Sequence, residues 1–193
     1  MNFLAHLFLS CKNEGLLIGN MIADFIRNKE VEQYSEDIQK GIFLHRQIDS
    51  YTDNHPLVRQ GTRRLIPRHR KYAPVVIDIF YDYLLANNWE RYSDVSLQEF
   101  ADATYATLNK HIDLMPPRLR KRLPVMIEGN WLVAYGGRSG LQFTFEKMEQ
   151  RTRFPSQFST AMNDLMADLS LYEEEFNQFF PDVIGFVNEQ CKA

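Results

Sequence analysis

Residues 74–86 read Pro74-Val-Val-Ile-Asp-Ile-Phe-Tyr-Asp-Tyr-Leu-Leu-Ala86, with apolar and aromatic side chains on nearly every side. A helix that is apolar all round is stable only when other elements bury it, so this segment predicts a central helix enclosed by its neighbours. Its only charges, Asp78 and Asp82, lie four residues apart and so stack on one face. Two adjacent buried carboxylates repel each other and lose hydration, which costs several kcal/mol unless a cation or hydrogen-bond donors compensate. A divalent metal is the most direct compensation. Pairing with arginines, or a solvent-facing stripe, are the alternatives that the spacing leaves open.

The rest of the chain keeps the same period. Strand-like alternation is rare, and no Asn-Gly or Asp-Gly hairpin signal occurs. Prolines fall where helices begin, at Pro56, Pro74 and Pro117. Gly136-Gly137, Gly140 and Phe154-Pro155-Ser156 mark breaks, with Ser156 a plausible cap. The pattern predicts helices near 2–10, 15–28, 35–53, 56–66, 74–89, 96–113, 117–135, 139–151 and 157–179, then a short C-terminal helix. With 193 residues and no repeat or linker, the expectation is one compact all-α domain spanning 1–193. Cys11 and Cys191 are too few for a disulfide framework or a cysteine-built zinc site, and both are expected to be reduced thiols. No run reaches the ~18–20 apolar residues of a membrane span. The apolar start lacks a basic leader and a cleavage-like sequence, so a cytoplasmic protein is expected.

Three further segments carry inward polar groups. His45, Asp49 and Asp53 fall at i, i+4 and i+8 in the stretch His45-Arg-Gln-Ile-Asp-Ser-Tyr-Thr-Asp53. Imidazole and carboxylate on one helical face suit a divalent metal, and equally suit a structural histidine held by its neighbour. Gly15–Ile26 holds one charge, Asp24, with Asn20 one turn earlier; Asn2–Leu9 holds one titratable group, His6, with Asn2 one turn earlier. Four apolar helices, each with one inward polar pair, suggest convergence on one site. An oxygen-rich, cysteine-free set suits Mn²⁺ or Mg²⁺, with Fe²⁺ or Zn²⁺ less well matched to so many carboxylates. His69, among Arg68, Arg70 and Lys71, reads as a surface residue, and His111 as a partner of a helix C-terminus. No phosphate loop or nucleophile elbow is present, and neither cysteine reads as a nucleophile.

Charge is uneven. The net value is only −3, which argues against a general nucleic-acid binder. Yet 56–77 contains no acid and carries Arg59, Arg63, Arg64, Arg68, Arg70 and Lys71, while 116–124 adds Arg118, Arg120, Lys121 and Arg122. Two such clusters fit either one acidic partner steered to one mouth or solvated helix faces with scattered pairs. Arg27 and Arg46 lie beside the candidate ligands, where a guanidinium can hold a phosphate oxygen.

At these residues the sequence resembles the bacterial acyl-carrier-protein phosphodiesterase family. The resemblance rests on Met1-Asn-Phe-Leu-Ala-His6, Gly19-Asn20-Met-Ile-Ala-Asp24-Phe, Gly41-Ile-Phe-Leu-His45-Arg46-Gln-Ile-Asp49, Thr52-Asp53-Asn54, Asp78-Ile-Phe-Tyr-Asp82 and Asn130-Trp131-Leu, and loosens after about residue 140. It implies an all-α fold like that of the HD-domain metal phosphohydrolases, although the adjacent His-Asp pair naming that superfamily is absent. It also implies hydrolysis of the phosphodiester joining 4′-phosphopantetheine to a serine of holo acyl carrier protein. On this reading His6, Asp24, His45 and Asp78 hold Mn²⁺, with Mg²⁺ or Fe²⁺ as substitutes. Asp49 and Asp82 are further ligand candidates, one of which accepts the proton of the attacking water, and Asp24 counts with them and Arg46 among the catalytic residues. Arg46 and Arg27 bind phosphate, and the two basic clusters dock the acidic carrier. A nucleotide phosphohydrolase and a non-enzymatic helical binding module are the rival readings.

Overall fold

The computed structural model describes residues 1–152 and 156–192, and among them there are eleven α-helices, several short 3-10 turns and no strand. The helices are α1 (Phe3–Phe8), α2 (Glu14–Ile22), α3 (Glu36–Asn54), α4 (Pro56–His69), α5 (Ala73–Asn87), α6 (Leu97–Lys110), α7 (Pro117–Glu128), α8 (Trp131–Ala134), α9 (Arg138–Arg151), α10 (Ala161–Ala167) and α11 (Leu169–Gln190). None is long and apolar enough to cross a membrane.

α5 is the buried helix that residues 74–86 predict: Val76, Ile77 and every residue from Ile79 to Leu85 are inaccessible or nearly so. Its Phe80 meets Phe145 of α9 and Tyr172 of α11 edge-on, at 5.6 and 5.5 Å. Its Tyr81 packs on Phe176 and Phe179 of α11. Aromatic pairs of this kind add about 0.5–1.5 kcal/mol each beyond the area they bury.

Two glycines set the closest helix crossing. A Cβ on Gly19 of α2 would stand 2.6 Å from the Gly41 Cα of α3, and one on Gly41 would stand 2.8 Å from the Leu16 Cα. The two backbones therefore touch, which brings Asn20 and His45, on adjoining turns, toward one place.

Several boundaries differ from the sequence expectation. The helix expected at 15–28 tightens into a 3-10 turn over Ala23–Phe25. The one expected at 117–135 breaks at Gly129 and Asn130, where asparagine takes a left-handed conformation (φ 42°). α4 passes through Pro67 to His69, ending at Arg70 with positive φ. The break expected near 179 lies instead at Asp168. Pro181 sits inside α11 on its exposed side, while Phe176, Phe179, Phe180, Val183 and Val187 form one continuous buried face. That face offsets the roughly 3 kcal/mol an internal proline costs. Phe154 and Pro155 of another expected break lie outside the described residues. Ser156 hydrogen bonds to Thr152 and Glu149 rather than capping a helix.

Cys11 and Cys191, expected to be separate thiols, form a disulfide with Cα atoms 6.3 Å apart. The full length of α11 carries its end back to the loop after α1, which sequence separation alone does not show.

Candidate metal centre

His6, His45 and Asp49 come together as a group whose ligand atoms all lie within 4.8 Å of one another. His6 comes from α1, His45 and Asp49 from successive turns of α3. The imidazoles stack face to face, centroids 3.8 Å apart and planes 14° from parallel. Asp49 reaches both: Oδ1 is 3.0 Å from His6 Nε2, and Oδ2 is 3.3 Å from His45 Nε2.

A relay of hydrogen bonds sets the His6 tautomer. The Ser10 hydroxyl donates to the His6 carbonyl (2.9 Å), so its oxygen accepts from the Asn20 amide nitrogen (3.1 Å). Asn20 therefore turns its carbonyl oxygen to His6 Nδ1 at 3.1 Å, and Nδ1 must donate. Burial, only partly opposed by Asp49, lowers the His6 pKa to about 4. The His6 Nε2 lies 3.0 Å from Asp49 Oδ1, the oxygen that also accepts from the Met1 ammonium at 3.2 Å. With Nδ1 committed to Asn20, Nε2 and the facing Asp49 oxygen are the two atoms that a divalent cation would share here. An amide oxygen that accepts from the other ring nitrogen is the usual support for a ligating histidine.

His45 is the second imidazole of the group. Its Nε2 lies 3.3 Å from Asp24 Oδ1 and Asp49 Oδ2 but in hydrogen-bonding geometry with neither, and its buried Nδ1 has no partner. Burial works against its charge, but Asp24 and Asp49 outweigh it and raise its pKa to about 9. Burial likewise opposes ionisation of Asp49, yet His45 and His6 hold it far below the usual carboxylate range. The Met1 ammonium is 3.2 Å from Asp49 and 3.0 Å from Asp78, so this carboxylate pair already gathers positive charge. Burial raises the Asp78 pKa, partly countered by that ammonium. A set of two imidazoles and adjacent carboxylates fits a divalent ion.

The other expected residues are distributed around this group. Asp24 is not the buried aspartate its apolar surroundings suggest: its side chain is 68% exposed, on the 3-10 turn at the mouth of the group. Asp78 is half-buried beside the Met1 ammonium, and Asp53 is exposed. Asp82 is fully buried and is not one of the group. Its two oxygens accept the backbone N–H groups of Leu4 (2.9 Å) and Ala5 (3.1 Å), so it anchors the helix that carries His6. Burial raises its pKa to about 7, against the pull of those two bonds. Arg46 is half-buried, over the Phe43 ring, and pairs with no acid among the described residues. Arg27 is exposed and held by Glu30.

The basic clusters are partly committed elsewhere. Arg64 makes a two-pronged bond to buried Glu175 and lies 4.5 Å over Tyr172, and Arg68 pairs with Asp164. Arg120 donates to the carbonyls of Asp113 and Met115. Arg122 is half-buried between the rings of Phe3 and Trp131. Arg59, Arg63, Arg118 and Lys121 are exposed without acid partners among the described residues. His69, read as a surface residue, is only 2% exposed, with Nε2 2.7 Å from Asp164 Oδ2. His111 closes α6, as expected, and meets Glu14. Ser10 escaped the sequence reading, because a lone serine beside a histidine carries no signal until Asn20 is placed between them.

A sequence model described as acyl carrier protein phosphodiesterase matches residues 1–183. Curated proteins of that name resemble the chain over nearly its whole length. One from Photorhabdus laumondii is 32% identical over 182 residues, covering 94% of this chain and 92% of the relative. One from Yersinia enterocolitica is 30% identical over 186 residues, 96% of each. One from Serratia proteamaculans is 30% identical over 185 residues, 95% of this chain and 96% of the relative. No solved structure matches it. The chain belongs to the acyl carrier protein phosphodiesterase family.

Proposed function

We propose that this protein is a metal-dependent hydrolase of the phosphodiester joining 4′-phosphopantetheine to a serine of holo acyl carrier protein. The observation that carries the reading is the convergence of His6, His45 and Asp49, whose ligand atoms all lie within 4.8 Å of one another, beside a buried His45 Nδ1 that has no partner. Family membership supplies the substrate.

His6, His45 and Asp49 hold the ion, with Asp24 and Asp78 at its flank. Mn²⁺ is the ion of choice, Mg²⁺ or Fe²⁺ the alternatives. A divalent ion there polarises the phosphoryl oxygens and lowers the pKa of a water. The protein's own groups do the rest. Asp24, exposed at the mouth, accepts the proton of the attacking water. Water oxygen bonds to phosphorus, the bond from phosphorus to the serine oxygen breaks, and that oxygen takes a proton. Arg46, free of acid partners, offsets charge on the phosphoryl oxygens. Arg27 is restrained by Glu30 and contributes less. Asp82 keeps α1, and with it His6, in place. Arg59, Arg63, Arg118 and Lys121 supply the cations that dock an acidic carrier; Arg64, Arg68, Arg120 and Arg122 serve the fold or the site wall instead.

The test is incubation with holo acyl carrier protein and Mn²⁺, following the intact mass of the carrier. Loss of the phosphopantetheine mass, abolished by EDTA and by Asp49→Ala, is expected. An unchanged carrier mass at any metal concentration would overturn the reading.

A further inference from the structure

A second feature lies against the same end of α1. Helices α7, α8 and α9 enclose a cleft of about 550 Å³, within the range that buries a ligand of drug size. Its walls are mainly apolar, formed by Val125, Trp131, Tyr135, Phe143 and Met148. Val125 and Phe143 are half exposed, at 53% and 50%, although both are large apolar side chains. Its polar wall groups include Ser139 and Thr144, and its rim carries Arg122, Lys147 and Arg151 against one acid, Glu128.

Arg122 is the most telling of these. It is half-buried, seated 5.0 Å over Trp131 and 5.7 Å from Phe3, its buried Nε has no partner, and no carboxylate neutralises it among the described residues. A guanidinium held rigidly between two rings, at the edge of an apolar cleft and without a counter-ion, is built to meet an anion.

The cleft and the metal centre share a wall. Asn2 donates to the Tyr135 hydroxyl at 3.0 Å, and Phe3, beneath Arg122, stacks on Phe25 beside Asp24. His6 follows on the same short helix. Residues 2 and 3 thus join the cleft wall to the helix that carries His6.

We propose that this cleft receives the pantetheine arm of the substrate and retains it after cleavage, with Arg122 contacting the phosphate end. The inference rests on the functional reading above. The arm's chemistry matches the lining: an anionic end for Arg122, a branched dimethyl carbon for apolar side chains such as Trp131 and Val125, and amides for the hydroxyls of Ser139 and Thr144. The Thr144 hydroxyl donates to the Gly140 carbonyl, which leaves its oxygen free to accept an amide N–H.

Titration calorimetry with pantetheine and with 4′-phosphopantetheine tests this, alongside holo-carrier kinetics. Val125→Asp and Phe143→Asp place a charge on partly exposed positions where the fold tolerates it, and thermal melting verifies that. Each is expected to weaken both ligands at least tenfold and to raise KM for holo carrier similarly, with kcat within threefold. Arg122→Gln is expected to weaken 4′-phosphopantetheine at least tenfold while leaving pantetheine within twofold. No detectable binding of either ligand to the wild type, or unchanged binding in the Val125 and Phe143 variants, would place the arm elsewhere. If that happens while holo carrier is still cleaved, the cleft assignment alone fails. A wild type that leaves holo carrier intact removes the functional reading itself.

Discussion

Replacing Asp82 by alanine tests how α1 is held. Asp82 is inaccessible to solvent, and so are Leu4 and Ala5, whose N–H groups it accepts. Water cannot reach the two donors when the carboxyl is gone. Each buried, unsatisfied N–H costs about 1–3 kcal/mol, so Asp82→Ala is expected to cost about 2–6 kcal/mol. The loss also depends on pH. The folded pKa of Asp82, about 7, lies above the ordinary value of 3.8 because burial penalises the charge. A carboxyl raised in this way adds stability that is complete below about pH 4 and disappears as pH climbs through 7. Wild type therefore loses ~1.4 kcal/mol per pH unit from this group across that window. The alanine variant lacks the titration, so its deficit is expected to be larger at pH 5 than at pH 8 by about 2–3 kcal/mol. Urea denaturation of both proteins at the two pH values measures this. A deficit under 1 kcal/mol at pH 5, or one that grows with pH, would show that Asp82 does not hold α1 in this way.

Three other outcomes follow from the same structure. Cys11→Ser opens a crosslink between residues 180 apart in sequence, which the chain-entropy account values at about 5 kcal/mol; the Tm is expected to fall in oxidising buffer and to match wild type in excess reductant. Gly41→Ala inserts a methyl 2.8 Å from the Leu16 Cα, so α2 and α3 must part; a stability loss of about 1–3 kcal/mol with weakened Mn²⁺ binding is expected, and normal values of both would contradict the backbone contact. Arg59 and Arg63 carry no acid partner among the described residues, so the pair changed to Glu is expected to raise KM for holo carrier about tenfold at low salt and much less at 0.5 M salt, with kcat little altered; equal KM at both salt concentrations would remove them from docking.

Much of this was legible from the chain alone, and the failures have physical causes. An unbroken apolar helix must be central, and α5 is. His45 and Asp49, four residues apart on a helix, had to share a face, and they do. Asp78 and Asp82 share a face by the same rule, but spacing does not say what each oxygen meets. Asp82 meets backbone donors 77 and 78 residues away. Asp24 looked buried because its neighbours are apolar, yet the tightened turn lifts its carboxylate outward. His69 looked exposed because basic residues flank it, and its partner Asp164 lies 95 residues further on. Local pattern sets which face a side chain occupies; tertiary packing decides which group it finds there. Pro181 and the Cys11–Cys191 pair show the same limit, since continuous burial along α11 overrides the proline and carries Cys191 to its partner.

His6, His45 and Asp49 are proposed to form one divalent-metal site. Calorimetric titration of Mn²⁺ into chelator-stripped protein tests it most directly, with His45→Ala and Asp49→Ala as variants verified to be folded. Saturable binding is expected in the wild type, and binding at least a hundredfold weaker in both variants. Absence of binding in the wild type, or equal affinity in all three proteins, would contradict it.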